Sequence, residues 1–245
     1  MKAIILCAGK GGRLRPLTDD LPKCLLAFGT RTILDVALEH LGSAGISDVV
    51  LVIGYHHELV RRLCADRPGR KITFVSNDDY AITNTAVSLH LALAQMDDDF
   101  ILINGDVLFD KGILADLVAH PAPNCVAVDA EIPLDHEEIK VIASDGRVER
   151  ISKELDPRRS LGEAIGLYKV GRQIIPDLKE VYEELERKGE CRHYFEKGFE
   201  RICEEAGDDS RAFGLSFTRG RPWVEIDTLE DFAHAQREIY PRICG

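Results

Sequence analysis

Apolar runs of strand length recur along the first half of the chain: KAIIL (2–6), DVVLVIG (48–54), KITFV (71–75), FILING (100–105) and CVAVDA (125–130). Between them the apolar spacing changes. In ILDVALEHLGSAG (33–45), Ile33, Val36, Ala37, Leu41 and Ala44 fall on one helical face, and HHELVRRLCAD (56–66) and TAVSLHLALAQM (85–96) behave likewise. Continuous apolar strands separated by amphipathic helices predict parallel strands covered on both faces. With right-handed crossovers, the expected fold is α/β: a doubly wound, mostly parallel mixed sheet with helices on both sides. Ligands of such sheets bind beyond the carboxyl ends of the strands. The 7–23 loop and the residues after Ile103 lie at such ends.

After residue 130 the pattern becomes β-rich. IKVIASDGRVERISKEL holds two strand-like runs joined by Asp145-Gly146, a hairpin signal. EAIGLYKV (163–170) reads as another strand, followed by helices at about 172–188 and 193–206, the second charged on one face. GLSFT and WVEID come next. The chain closes in a helix from Thr228 to about Tyr240, with Thr228 as N-cap and Asp231 at N3. No repeat, low-complexity segment or linker interrupts this. One domain is expected, with a first half at 1–130, a β-rich lid at 131–222 and a closing strand and helix at 223–245.

Composition narrows the class. The 245 residues are 45% hydrophobic and 30% charged, a globular balance, and the net charge of −11 argues against a nucleic-acid partner. A local cluster such as Arg13, Arg15 and Lys23 still suits a small polyanion. The seven cysteines (7, 24, 64, 125, 191, 203, 244) form no Cys-x-x-Cys pair and read as free thiols in a reducing compartment. No apolar run nears the roughly 18 residues of a membrane span, and the N-terminal apolar stretch is too short for a signal peptide. A soluble cytoplasmic protein without a membrane partner is expected, and a homodimer is compatible with the sequence.

The most telling stretch is LCAGKGGRLRPLTDDLPKCLL. Gly9, Gly11 and Gly12 let backbone N–H groups point into one concavity, which suits phosphate oxygens. The spacing is neither the dinucleotide-binding Gly-x-Gly-x-x-Gly nor a P-loop. It resembles the signature of the sugar-phosphate nucleotidyltransferases, L-A-A-G-x-G-S/T-R-L-x-P-L-T-x-x-x-P-K. Leu6, Ala8, Gly9, Gly11, Arg13, Leu14, Pro16, Leu17, Thr18, Pro22 and Lys23 match it. Cys7 replaces an alanine, and Gly12 replaces a hydroxyl residue while keeping its N–H. INGDVLFD (103–110) resembles the family's second acidic motif and WVEIDTLEDFAHA (223–235) its C-terminal metal motif. SNDDYAITNTAVSLHLALA, HEEIKVIASDGRVERISKEL and GEAIGLYKV resemble the small cytidylyltransferases that activate phosphocholine, aminoethylphosphonate, inositol 1-phosphate or phosphoglutamine.

The resemblance implies transfer of a nucleoside monophosphate, CMP from CTP being favoured, to a small phosphate- or phosphonate-bearing acceptor with release of pyrophosphate. Sugar-1-phosphate uridylyl-, thymidylyl- or guanylyltransfer is the alternative, and a non-catalytic nucleotide-binding subunit is a second one. Residues 1–130 would bind nucleotide, 131–222 acceptor and 223–245 metal. Asp106 and Asp227, each at a strand end, would share Mg²⁺, with Glu225 in support. Arg13 would take the β- and γ-phosphates, Lys23 the α-phosphate and Lys153 the acceptor's phosphate. The base would lie on Leu6, Ala8 and Gly9, its polar edge meeting Asn77, Tyr80, Thr83, Asn84 and Ser88, with Gly105 beside it. Asn84 is also a credible helix cap. Lys140, Glu163 and Asp129 are the acceptor candidates, although Lys140 also reads as a solubilising strand lysine. Tyr194, Phe195 and Trp223 are aromatic candidates for a cationic acceptor or for core packing.

Overall fold

The computed structural model describes residues 1–65, 67–206 and 210–244. Strand β1 (Lys2–Cys7) enters the loop, which passes through two short 3₁₀ turns to the paired dipeptides β2 (Ala27–Phe28) and β3 (Arg31–Thr32). Alternation then follows: α1 (Ile33–Ser43), β4 (Asp48–Ile53), α2 (His57–Cys64), β5 (Lys71–Ser76), α3 (Thr85–Leu93), β6 (Phe100–Asn104), β7 (Val107–Phe109), α4 (Lys111–Ala119) and β8 (Asn124–Asp129). The second half supplies β9 (Lys140–Ser144), β10 (Arg147–Ser152), β11 (Gly162–Val170), α5 (Ile175–Arg187), α6 (Glu196–Glu205), β12 (Phe213–Phe217) and β13 (Trp223–Glu225). Helix α7 (Leu229–His234) runs through a π turn into α8 (Tyr240–Cys244).

Nine strands form one mixed sheet in the order β5-β4-β1-β6-β11-β8-β12-β10-β9. All but β10 and β11 run in one direction. The β-rich segment expected as a lid is continuous with this sheet, contributing β9 to β12. Strand β11 lies antiparallel between β6 and β8. Strand β9 pairs with the start of β11 as well as with β10, so the sheet curls back on itself there.

Period-two alternation makes the two layers. Ile4, Leu6, Val50 and Val52 face α3, α5 and α6, whereas Ala3, Ile5, Val49 and Leu51 face α1, α2 and α4. A smaller core of Leu14, Phe28, Ile33, Ile226 and Ile239 clamps the opening loop against the C-terminal helices. The expected cap at Thr228 is present, and α1 carries a second one. Thr32 with Asp35 and Thr228 with Asp231 form reciprocal capping boxes. Helix α6 begins at Glu196, later than its charge pattern suggests, because residues before it turn under α3: Ala86 N–H donates to the carbonyl of His193. No helix among the described residues is long and apolar enough to cross a membrane.

Candidate active site

The carboxyl ends of β1 and β6 open into a cavity of about 730 Å³, whose walls run from the glycine loop to β11 and the start of α6. Backbone geometry shapes its nucleotide-loop end. Gly11 adopts a left-handed φ of 64° and receives the hydroxyl of Thr18 on its carbonyl at 2.8 Å. At Gly105 the chain passes so close to β1 that a Cβ there would sit 2.4 Å from the Leu6 carbonyl oxygen. Tyr55 ties the loop from outside, its hydroxyl donating to the Asp19 carbonyl at 2.6 Å.

Two elements far apart in sequence bring the acids together. β7 and β13 pair antiparallel with Val107 opposite Glu225, and Ile226 N–H donates to the Asp106 carbonyl at 3.0 Å. Asp231, already capping α7, also accepts the Asp227 N–H at 3.0 Å. One carboxylate oxygen from each of Asp106, Glu225 and Asp227 therefore lies within 4.8 Å of the others. Lys23, only 8% exposed, reaches into this group and donates to Asp106 Oδ2 at 2.7 Å and to Asp227 Oδ1. Arg13 donates to the other oxygen of Asp227.

The charges are mutually set. Burial alone would lower the Lys23 pKa, but Asp106 and Asp227 outweigh it and hold the ammonium above the usual lysine range. Burial would raise Asp227, yet Lys23 and Arg13 keep its carboxyl below the ordinary value. Glu225 has burial and the two aspartates acting together, and its carboxyl is pushed well up. The cluster suits a hard divalent cation: three carboxylates converge, and Asp106 Oδ1 is buried without any hydrogen-bond partner.

Of the residues expected to hold nucleotide, Leu6, Ala8, Gly9, Gly11, Gly12, Asn84, Ser88 and Gly105 line the cavity. Asn77, Tyr80 and Thr83 stand behind its wall. Asn77 is buried and donates to Thr83 Oγ1 at 3.1 Å and to Ser88 Oγ at 3.0 Å, so it braces a lining residue. Tyr80 packs on Gly54 beside the Ala8 carbonyl. Asn84 caps α3, accepting the Thr85 N–H, and keeps its place on the cavity wall.

At the acceptor end Lys153 and Glu163 line the cavity, whereas Lys140 and Asp129 do not. Lys140 is wholly buried where β9 meets β11, and its Nζ donates to the Glu138 carbonyl at 2.9 Å; it is no solubilising residue. Asp129 accepts the Trp223 indole N–H at 2.6 Å, which fixes the strand leading to Glu225. Lys153 pairs with Glu137 at 3.0 Å and lies 5.7 Å from the Tyr194 ring centroid. Burial, with Glu138, Asp129 and Asp135 adding to it, raises Glu163 to about 8.

Glu137, Glu138, Asn104 and Glu196 also line the cavity and were not singled out from sequence. Glu196 is 4% exposed and is raised by burial to about 7. Its place among the charges of α6 made it look like part of a solvated helix face. Tyr194, at 44% exposure, is on the cavity wall rather than in the core.

Known proteins share this architecture. The chain is 30% identical over 251 residues to the CMP-5'-(3-aminopropyl)phosphonate synthase of Streptomyces rubellomurinus, an alignment covering 98% of this chain and 39% of that protein. It is 26% identical over 254 residues to the CTP:phosphoglutamine cytidylyltransferase of Campylobacter jejuni, covering 94% of this chain and 97% of the relative. Among solved structures, the inositol-1-phosphate CTP transferase of T. maritima superposes with a TM-score of 0.82 at 22% identity, covering 99% of this chain and 95% of that one. Residues 3–191 match the family model of the MobA-like NTP transferase domain, and this chain belongs to that family.

Proposed function

We propose that the protein is a Mg²⁺-dependent cytidylyltransferase that moves CMP from CTP onto a phosphate or phosphonate oxygen of a small acceptor. The observation that carries this reading is the convergence of Lys23, Asp106, Glu225 and Asp227 where the glycine loop opens into the cavity. The preference for CTP is supported by the relatives just named, which include a CMP-phosphonate synthase and a CTP:phosphoglutamine cytidylyltransferase.

In the reaction an acceptor oxygen attacks the α-phosphorus, a new P–O bond forms, and the bond to the bridging oxygen of pyrophosphate breaks. Both reactants are anions, so positioning and charge neutralisation supply most of the acceleration. The N–H groups of Gly9, Gly11 and Gly12 and the fork of Arg13 would hold the β- and γ-phosphates. Lys23 would exchange its carboxylate partners for an α-phosphate oxygen, and Lys153 would exchange Glu137 for the acceptor's phosphate. Each such charged contact contributes about 1.5–3 kcal/mol. Asp106, Asp227 and Glu225 would hold Mg²⁺, which when bound supplies positive charge beside the reacting phosphates.

A panel of CTP, UTP, dTTP and GTP with phosphorylated acceptors, read by pyrophosphate release, tests the assignment. CTP with Mg²⁺ should dominate, and Asp227→Asn should lower turnover by about 10²–10³-fold while circular dichroism stays native. Dominant UTP, dTTP or GTP turnover would replace the reading with sugar-1-phosphate nucleotidyl transfer. Tight CTP binding without turnover would make the protein a nucleotide-binding subunit.

A further inference from the structure

Three buried side-chain oxygens among the described residues have no hydrogen-bond partner: Asn104 Oδ1, Asp106 Oδ1 and Glu196 Oε2. All three residues line the one cavity. Such acceptors are rarely left unmet in native proteins, so each marks a place for an incoming donor or cation. Asp106 belongs to the proposed metal cluster. Glu196 and Asn104 are unaccounted for.

The surroundings of Glu196 define what it lacks. Its Oε1 accepts the hydroxyl of the wholly buried Tyr168 at 3.1 Å, so one oxygen is satisfied and the other is free. Glu163, 7% exposed, lines the same cavity, as do Glu137 and Glu138, and both Glu163 and Glu196 act electrostatically on the Tyr168 hydroxyl. Lys153 stands across the exposed Tyr194 ring, which is two residues before Glu196. The cavity thus offers a cation for an acceptor's phosphate and buried carboxyls for something positive. A trimethylammonium group has no N–H and would leave Glu196 Oε2 and Asn104 Oδ1 as they are. A protonated primary amine has three donors.

We propose that the acceptor is a short zwitterion, a phosphate or phosphonate bearing a primary ammonium group, and that Glu196 selects it by receiving the ammonium in the cavity that Glu163 and Asn104 also line. The amine makes and breaks no covalent bond; it holds the acceptor so that its phosphate end meets Lys153. This inference rests on the transferase reading above, and the experiment separates the two.

The probes are 2-aminoethyl and 3-aminopropyl phosphate, their uncharged counterparts propyl and butyl phosphate, and phosphocholine, each with CTP and Mg²⁺. At least one aminoalkyl phosphate should exceed its alkyl counterpart and phosphocholine by about tenfold or more in kcat/KM. Glu196→Gln should bring that ratio close to one. Equal rates for amine and alkyl acceptors, phosphocholine matching the amines, or a ratio untouched in Glu196→Gln would each overturn the proposal. If Glu196→Gln does not fold, Glu163→Gln serves, with a several-fold loss of the ratio expected and an unchanged ratio refuting. If no acceptor turns over, the transferase reading fails, and calorimetric binding of the same probes decides. Tighter binding of an amine, lost in the variant, supports the pocket, and equal binding removes it.

Discussion

Glu163→Gln should stabilise the metal-free protein, and increasingly so as pH rises. Burial, reinforced by Glu138, Asp129 and Asp135, lifts the native carboxyl from 4.5 to about 8, with Lys140 opposing weakly. The sign follows from linkage. Below pH 4.5 the folded and unfolded forms both carry the proton and nothing is lost. Between 4.5 and about 8 the unfolded chain ionises while the native protein does not, so stability falls with pH and then levels. The loss is about 1 kcal/mol at pH 5 and grows to several kcal/mol by pH 9. Relaxation around an ionised buried carboxylate trims the upper figure, so a difference of about 2–4 kcal/mol at pH 9 is expected. Glutamine keeps the shape and cannot ionise. Urea unfolding of both proteins in EDTA at pH 5, 7 and 9 measures the gap. A gap that does not widen between pH 5 and pH 9 would refute the placement of this acid in a desolvated wall.

Gly105→Ala should lower stability by about 2–4 kcal/mol, because the new methyl meets the Leu6 carbonyl at 2.4 Å and the Cys7 sulfur at 3.1 Å; an unchanged denaturation midpoint would show that β1 and β6 part easily. Lys23→Met should cost about 3 kcal/mol without metal by leaving Asp106 and Asp227 facing each other. Added Mg²⁺ should then raise its Tm more than that of the parent, and equal responses in thermal scans would count against a shared cation site.

Much of this was legible in the chain because it is encoded locally. The alternation in KAIIL sends Ile4 and Leu6 to one face and Ala3 and Ile5 to the other. Thr228 three residues before Asp231 is a capping box in sequence and in space. The meeting of Asp106 with Asp227 is different. It depends on β7 and β13, three residues each, too short to carry a periodic signal, and only the family resemblance pointed to it. Lys140 and Glu196 were illegible for a related reason. A charged residue on a strand or helix reads as solvated, and what buries these two is the curl of β9 onto β11 and the seating of α6 against Tyr168. Asn77, read as a base contact, is buried and donates to Ser88 on the cavity wall, a bracing role that no local pattern announces.

The electrostatics of the cavity explain why a cation and a zwitterion belong in one reading. Asp106, Glu137, Glu138, Glu163, Glu196, Glu225 and Asp227 face Arg13, Lys23 and Lys153 across it. Each of those cations is already engaged: Arg13 and Lys23 with Asp227, Lys23 also with Asp106, and Lys153 with Glu137. A triphosphate arriving alone would have to displace carboxylates that then stand unpaired beside it. At about 4 Å and an effective dielectric near 20, each such like-charge pair costs about 4 kcal/mol. A divalent ion on the Asp106, Glu225 and Asp227 oxygens would remove that penalty at the nucleotide end and leave Lys23 free for phosphate. At the other end Lys153 is held by Glu137, and an ammonium group on the acceptor would bring its own positive charge to a cavity that Glu137, Glu138, Glu163 and Glu196 line. The surplus of acids that looks hostile to anionic substrates would therefore suit anions that bring their own positive charge.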